Sequence, residues 1–194
     1  MQNKKQTTQE KILYAAKAEF LEKGFQTASL RTIVKEAGVT TGALYGYYGS
    51  KEAIFDALVE ECYTHFLSAY RNALDDFDRL PIEQQPERMS TVSQACLEEF
   101  HLLLLCSEGT HYSSMKEELV QLEVNATHRY YLVLEKLGTP APQIDPRLEH
   151  ILVTGLMNAY FEMIIHDMPL ADAQQYLREL HSFYSAGWLK IMGQ

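Results

Sequence analysis

Two threonines, a glycine and a lysine stand at positions where phosphate groups are commonly bound. Thr40, Thr41 and Gly42 open a stretch with helical spacing, and Thr40 is predicted to cap that helix. Backbone N–H groups and hydroxyls at a helix start bind anions, and Gly42 allows close approach. Lys51 begins the next helix, where its ammonium is predicted to hold a phosphate. These residue types predict contact with a nucleic-acid backbone.

Four aromatic and apolar residues follow these threonines on the same predicted helix. Tyr45 and Tyr47 are two positions apart, so they face away from each other and cannot both be core residues. Leu44 and Tyr48 are four positions apart and share one face, which makes them the better core candidates. The helix is therefore predicted to bury Leu44 and Tyr48.

The segment that positions these residues is predicted to be two short helices joined by a tight turn. Ser29 is predicted to cap the first helix, whose apolar face contains Leu30, Ile33, Val34 and Ala37. Gly38 follows as the left-handed residue that ends a helix. This arrangement is typical of a helix-turn-helix, whose second helix enters the major groove of DNA.

The remaining sequence is helical in pattern throughout. Thr7 and Glu10 form a capping box for a first helix that Gly24 ends, and Ser50 is predicted to cap the fourth. Apolar residues recur at helical spacing and no segment alternates as a strand would. We therefore predict an all-α protein of about nine helices. The later helices are predicted over about 90–107, 113–137, 145–166 and 170–192.

The charge distribution separates the two ends of the chain. The net charge is −9, yet residues 1–51 carry eight basic and four acidic side chains. The remaining residues carry nine basic and 22 acidic side chains. A basic head on an acidic body concentrates phosphate binding at the head. We predict a DNA-binding domain over residues 1–51 and a helical ligand-binding and dimerisation domain over 52–194.

Composition argues against several other classes of protein. Apolar runs such as Leu102–Cys106 are far too short to span a membrane, and the polar start predicts no secretory leader. The three cysteines, Cys62, Cys96 and Cys106, are predicted to be reduced thiols. No nucleophile elbow, Walker loop or dinucleotide-binding glycine pattern is present. We expect a cytoplasmic protein that is not an enzyme and needs no cofactor.

A metal-binding alternative comes from two Glu-x-x-His pairs. Glu98 with His101 and Glu108 with His111 have the spacing found in helical di-iron carboxylate proteins. Such sites need the two pairs on separate facing helices, whereas these pairs are only ten residues apart with Gly109 inside the second. A helical-bundle metalloenzyme of di-iron type is therefore the alternative function, and no metal site is expected.

Over residues 8–58 the chain resembles the TetR family of transcriptional regulators. The resemblance rests on AxxxFxxxGF at 16–25, SLRTIVKEAGV at 29–39 and TTGALYGYYGSKEAIFDAL at 40–58. It implies a three-helix DNA-binding head, a helical ligand-binding body, and a homodimer formed through the last two helices. It implies binding to a double-stranded, palindromic DNA operator, with repression more expected than activation.

The same resemblance implies roles for individual residues. It assigns Tyr45 and Tyr47 to DNA through phosphate bonds or a thymine methyl group, and Arg31 to a base or phosphate. The family more often has larger residues at the positions of Gly46 and Gly49, so DNA contacts there are not expected.

The body is predicted to bind a small effector that favours a form unfit for DNA. Aromatic and methionine residues are frequent there, which suits a small apolar or aromatic ligand. We nominate four residues as the pocket: Phe66, Tyr70, His101 and Tyr160. The broad apolar surfaces of the last two helices are predicted to form the dimer.

Overall fold

A computed structural model describes residues 7–75, 97–136, 138 and 143–191 of the chain. All regular structure in these residues is helical, which confirms the all-α prediction. The described residues form eight α-helices: α1 Thr8–Thr27, α2 Leu30–Ala37, α3 Thr41–Tyr47, α4 Lys51–Asp75, α5 Leu97–His101, α6 Met115–Lys136, α7 Pro146–Ile165 and α8 Leu170–Ile191. A π-helical turn, Leu102–Cys106, follows α5, and a 3₁₀ turn, His111–Ser114, precedes α6. The predicted start of a helix at residue 90 lies outside the described residues.

Most of the predicted helix caps are present. Thr7 and Glu10 form the capping box of α1. The Thr40 Oγ1 accepts a hydrogen bond from the Ala43 N–H at 3.1 Å, and the Ser50 Oγ accepts one from the Ala53 N–H at 3.0 Å. Gly38 ends α2 in the left-handed region, with φ 64° and ψ 35°. Local sequence was sufficient for these caps because donor and acceptor lie within four residues.

Ser29 is the N-cap residue of α2, as predicted, but its side chain does not stabilise the helix start. The Ser29 side chain makes no capping hydrogen bond to α2. Instead the Ser29 N–H donates to the Oε1 of Glu19, at 2.9 Å, and Glu19 is buried on α1. A carboxylate at a helix start is favoured by the helix dipole, so a residue of the preceding helix stabilises the start of α2.

Gly24 is predicted to end α1; in the structure it breaks the helix, which resumes after it. Its φ of 72° and ψ of 161° are not helical, and a further short turn reaches Thr27. The Ala28 N–H then donates to the Gly24 carbonyl at 3.1 Å. A residue with a Cβ is strained at this φ, so glycine is required for the kink. The kink presents several main-chain carbonyls at the end of α1.

The chain divides into two compact units. The first comprises Met1–Thr64 and Glu98–Ser113, and the second comprises His65–Leu97 and Ser114–Gln194. The basic head predicted over 1–51 lies wholly in the first unit. That unit also contains the first half of α4 and a second segment of chain that the prediction placed in the body. The functional division at residue 51 stays a prediction.

The first unit has a core built on aromatic rings from distant parts of the sequence. The rings of Phe20 and Phe55 meet edge to face at 5.2 Å between centroids, and both side chains are fully buried. Tyr112 packs against Phe55 at 6.0 Å and donates a hydrogen bond to the Glu60 carboxylate. The Lys17 ammonium forms an ion pair with Glu99 at 3.0 Å. The segment 98–113 therefore completes the core beneath the helix-turn-helix.

The second unit contains the end of α4 together with α6, α7 and α8. A buried cluster of Met163, Ala173 and Leu177 joins α7 to α8, and Tyr160 packs against it. Cys62 and Cys106 are buried thiols, as predicted, while Cys96 lies outside the described residues. Burial raises the pKa of the Cys106 thiol. In the described parts of the chain, no helix has the length and hydropathy needed to cross a membrane.

Candidate nucleic-acid interface

Helix α3 presents one buried side and one exposed side. Leu44 is fully buried, and Tyr48, which ends the helix, is 7% exposed. Tyr45 and Tyr47 are 52% and 53% exposed. The division of the three tyrosines into one inward and two outward residues therefore agrees with the sequence analysis. Two phenol groups are available on the outer surface of α3.

The start of α3 is exposed alongside these tyrosines. Thr40, Thr41 and Gly42 are all exposed, and Thr40 caps the helix. A Cβ placed on Gly42 would contact only the Thr40 Oγ1, at an ordinary 4.0 Å. The fold itself therefore leaves room for a side chain there. Close approach of a binding partner stays the predicted reason for this glycine.

Arg31 lies on the adjoining helix of the same surface. It is exposed in the first turn of α2, on the far side of that helix from the buried Ile33. Its guanidinium carries donors suited to phosphate oxygens or to guanine O6 and N7. Its predicted contact with DNA is sterically open and stays a prediction.

Lys51, which is predicted to hold a phosphate, forms hydrogen bonds within its own chain. Its Nζ donates hydrogen bonds to three main-chain carbonyls, of Phe25 at 2.6 Å, Gln26 at 3.1 Å and Ala28 at 3.1 Å. It also lies 4.7 Å from the centroid of the Phe25 ring. An ammonium has three N–H donors, so the three carbonyls engage all of them. In this structure Lys51 therefore binds the carbonyl end of α1, and its predicted contact with a DNA phosphate stays a prediction.

The nominated effector residues fall into two groups. Phe66 and Tyr70 stack with their centroids 6.0 Å apart, and both belong with Tyr160 to the second unit. His101 belongs to the first unit, so the pocket proposal is restricted to the other three residues.

One histidine of the predicted Glu-x-x-His pairs lies near two carboxylates of α4. The Nδ1 of His111 is 3.7 Å from the Oε1 of Glu52 and 3.9 Å from the Oδ1 of Asp56. Among the described residues, no three metal-binding side chains are grouped as a metal site.

A carboxylate that the sequence pattern did not indicate lies beside one of the nominated aromatic residues. The Tyr70 hydroxyl donates to the Oε2 of Glu123 at 2.6 Å and lies 3.4 Å from the Met157 sulfur. Burial raises the pKa of Tyr70, and the nearby Glu123 raises it further. Burial also raises the pKa of Glu123, and the hydrogen bond from Tyr70 partly offsets this rise. The pKa of Tyr160 is raised mainly by burial and further by the nearby Glu123 carboxylate. The surroundings of Tyr70 in the second unit therefore combine aromatic surface with the carboxyl group of Glu123.

The head of the chain matches a known family. Residues 12–58 match the model for bacterial regulatory proteins of the tetR family. Over 75 residues the chain is 35% identical to the HTH-type transcriptional regulator UidR of Escherichia coli strain K12. This match covers 39% of the chain and 38% of UidR, well under half the length of the relative.

Two solved structures resemble the chain over almost its whole length. A TetR-like transcriptional regulator from Rhodococcus sp. RHA1 aligns with a TM-score of 0.61 at 19% identity, covering 100% of both chains. The SmeT–triclosan complex aligns with a TM-score of 0.57 at 19% identity, covering 94% of this chain and 91% of SmeT. At this level of identity the likeness establishes a shared helical fold.

Proposed function

We propose that the chain, whose residues 12–58 match the tetR family of bacterial regulatory proteins, is a ligand-responsive transcriptional repressor of that family. It binds a palindromic operator as a homodimer, and a small apolar or aromatic ligand releases it. It acts in the cytoplasm, where it meets chromosomal DNA, and has no catalytic activity of its own.

The outer surface of α3 carries this proposal. Tyr45 and Tyr47 are each about half exposed beside the uncovered start of the helix, in the part of the chain with excess positive charge. Helices of this kind place their first residues against base edges and phosphates in the major groove. The hydroxyls of Thr40 and Thr41 and the Arg31 guanidinium extend the same surface. Together they supply donors for phosphate and base contacts.

Exposed apolar side chains on α7 and α8 support the dimer. Ile151 on α7 is 64% exposed and Phe183 on α8 is 74% exposed. Three further large apolar residues on these two helices are at least 39% exposed: Leu148, Tyr176 and Ile191. Burial of this surface against a second copy removes it from water. Two-fold symmetry then spaces the two α3 helices for half-sites about one DNA turn apart, roughly 34–36 Å.

Aromatic residues in the second unit support an effector site. Phe66, Tyr70 and Tyr160 come from α4 and α7, and α4 begins directly after the helix-turn-helix. The related fold of SmeT has been solved with triclosan, a small aromatic molecule. A ligand that prefers one position of α4 shifts the population between DNA-binding and non-binding forms.

Selection from random double-stranded DNA tests the proposal. The full-length protein should enrich an inverted repeat, and sedimentation should give a protein dimer on that DNA. Affinity measured by fluorescence anisotropy should fall steeply with salt, as expected for phosphate contacts. A library of apolar and aromatic compounds should then include molecules that raise the melting temperature and release the DNA.

Three results test operator binding, the two-fold dimer on DNA, and repression against activation. Failure to enrich any sequence above a scrambled control would refute operator binding. Enrichment of a direct repeat or a single half-site would refute the two-fold dimer on DNA. Placing the selected site upstream of a reporter promoter separates repression, in which expression falls, from activation, in which it rises.

A further inference from the structure

We propose that Lys51 is a positioning residue for DNA binding, which ties the first turn of α4 to the carbonyl end of α1. The inference rests on the proposed operator binding and assigns Lys51 a role within it. The residue acts on DNA through the placement of α2 and α3, rather than through contact with phosphate.

The bonds of Lys51 are those of a long-range helix cap. Gly24 breaks α1, and the turn that follows leaves the carbonyls of residues 25, 26 and 28 at its end. Terminal carbonyls of a helix need partners from elsewhere, and a positive charge is favoured beside them. The Lys51 ammonium reaches all three carbonyls from 23 to 26 residues away.

Neighbouring contacts make this end of α1 a junction of three helices. The Phe25 ring packs against Phe55, one turn beyond Lys51 on α4, at 5.4 Å between centroids. On the other side, Glu19 of α1 accepts the Ser29 N–H and so holds the start of α2. The segment from Phe25 to Ser29 is therefore bonded to α1, α2 and α4. Helix α3 lies in the chain between α2 and α4, so this junction fixes both flanks of the DNA-binding surface.

Binding of Lys51 to a phosphate would require these bonds to break. Three carbonyls would lose a charged donor, and those of Phe25 and Ala28 are part-buried, where polar groups without partners are costly. Movement of the first turn of α4 meets the same cost unless the end of α1 moves with it. An effector that displaces α4 would thus displace the start of α2 through Lys51.

Three variants of the full-length protein separate positioning from phosphate contact. Lys51→Met removes the charge and the donors, whereas Lys51→Arg keeps a charge that binds phosphate well. The planar guanidinium cannot point three donors from one nitrogen at these carbonyls. Lys11→Met is the control, because Lys11 is an exposed lysine of the same head. Operator affinity is measured across salt concentrations, and amide hydrogen exchange is measured without DNA.

Positioning predicts a specific combination of results. Lys51→Met and Lys51→Arg should both lose operator affinity at least tenfold relative to Lys11→Met, with the slope of affinity against salt unchanged. In the free protein, both Lys51 variants should have faster amide hydrogen exchange in residues 25–30 and 51–56. Lys11→Met should leave the exchange rates of these residues unchanged.

Other outcomes overturn the inference. A phosphate contact would be established by two results together. Lys51→Arg would keep the operator affinity of the unmodified protein, and Lys51→Met would reduce the slope of affinity against salt by about 1 for each Lys51. Unchanged exchange in residues 25–30 in both variants would show that Lys51 does not hold the junction. Should Lys51→Met fail to fold, the affinity and exchange of Lys51→Arg alone decide between positioning and phosphate contact. If the unmodified protein selects no operator, the proposed function fails, while the exchange result still decides whether the junction depends on Lys51.

Discussion

Gly155 on α7 lies directly against the hydroxyl of Tyr184 on α8. A Cβ built on Gly155 would stand 2.8 Å from the Tyr184 Oη, closer than folded proteins allow for such atoms. The φ of Gly155 is not in the left-handed region, so conformational freedom does not explain the glycine. The absence of a side chain permits the close approach of these two residues.

Gly155→Ala is therefore expected to destabilise the protein. Overpacking typically costs about 1–3 kcal/mol, and the better helix propensity of alanine offsets about 1 kcal/mol of this. Tyr184→Phe removes the clashing hydroxyl, so the double variant should regain most of the lost stability. Urea denaturation of the two single variants and the double variant gives the coupling energy. Strictly additive effects would show that the Gly155–Tyr184 contact does not limit the packing.

Tyr45→Ala and Tyr47→Ala are each expected to weaken operator binding about tenfold or more, which corresponds to about 1.4 kcal/mol. Their melting temperatures should stay near that of the unmodified protein, because both rings are about half exposed. Anisotropy with the selected operator measures the affinity. Tyr14→Ala is the matched control, since Tyr14 is 75% exposed on α1, outside the proposed interface. Equal losses in Tyr14→Ala would remove the case for a specific α3 surface.

Tyr48→Ala should behave in the opposite way to these exposed tyrosines. The side chain is 7% exposed, so truncation should leave a cavity and cost about 3–5 kcal/mol. Thermal denaturation should show a large fall in melting temperature. A stable Tyr48→Ala protein with an unchanged melting temperature would contradict the inward placement of this ring.

Glu123→Gln is expected to make stability less sensitive to pH. Burial raises the pKa of Glu123 from an ordinary value of 4.5, so the folded protein favours the protonated form. This stabilisation is complete below about pH 4.5 and is lost as the pH rises through the folded pKa. Glutamine resembles the protonated acid and still accepts the Tyr70 hydrogen bond.

The melting temperature of Glu123→Gln should therefore exceed that of the unmodified protein at pH 8, where folding buries the charged form of Glu123. The difference should shrink toward pH 4.5. Glu135→Gln, an exposed change on the same helix, should show no such trend. A constant difference across this pH range would show that burial of the Glu123 charge is not its cause.

Phe183→Glu is expected to disrupt the dimer. The ring is 74% exposed on α8, and burial of a carboxylate in an apolar interface is strongly unfavourable. Sedimentation should show a monomer with unchanged helical content, and operator affinity should fall at least 100-fold. Ala171→Glu, an exposed change near the start of the same helix, is the control. A dimeric Phe183→Glu protein would place the interface elsewhere.

Sequence analysis succeeded where an interaction is local. The caps formed by Thr7, Thr40 and Ser50 were predictable because each side chain bonds to a main-chain N–H three residues away. The inward and outward tyrosines of α3 were predictable from helical spacing alone. In each case the geometry of one helix determines the outcome.

Long-range partners were beyond the reach of periodicity. The carboxylate of Glu19 caps α2 from α1, and Glu123 accepts a hydrogen bond from Tyr70, 53 residues away. The hydrogen bonds of Lys51 were missed for the same reason, since its acceptors are carbonyls that follow the kink at Gly24. Main-chain carbonyls have no sequence signature, so patterns of side chains did not identify them.

The first unit is built from two separate segments of the sequence, and this has a consequence for how chains of this fold exchange parts in evolution. Gly109 meets Gln26 so closely that a Cβ on Gly109 would lie 2.9 Å from the Gln26 Cγ, and Tyr112 fills the core beside Phe55. A single recombination after residue 64 would transfer Gln26 without Gly109 and Phe55 without Tyr112. Successful transplantation of this head onto another body requires two crossovers, so that the segment 98–113 is inherited together with the residues it covers.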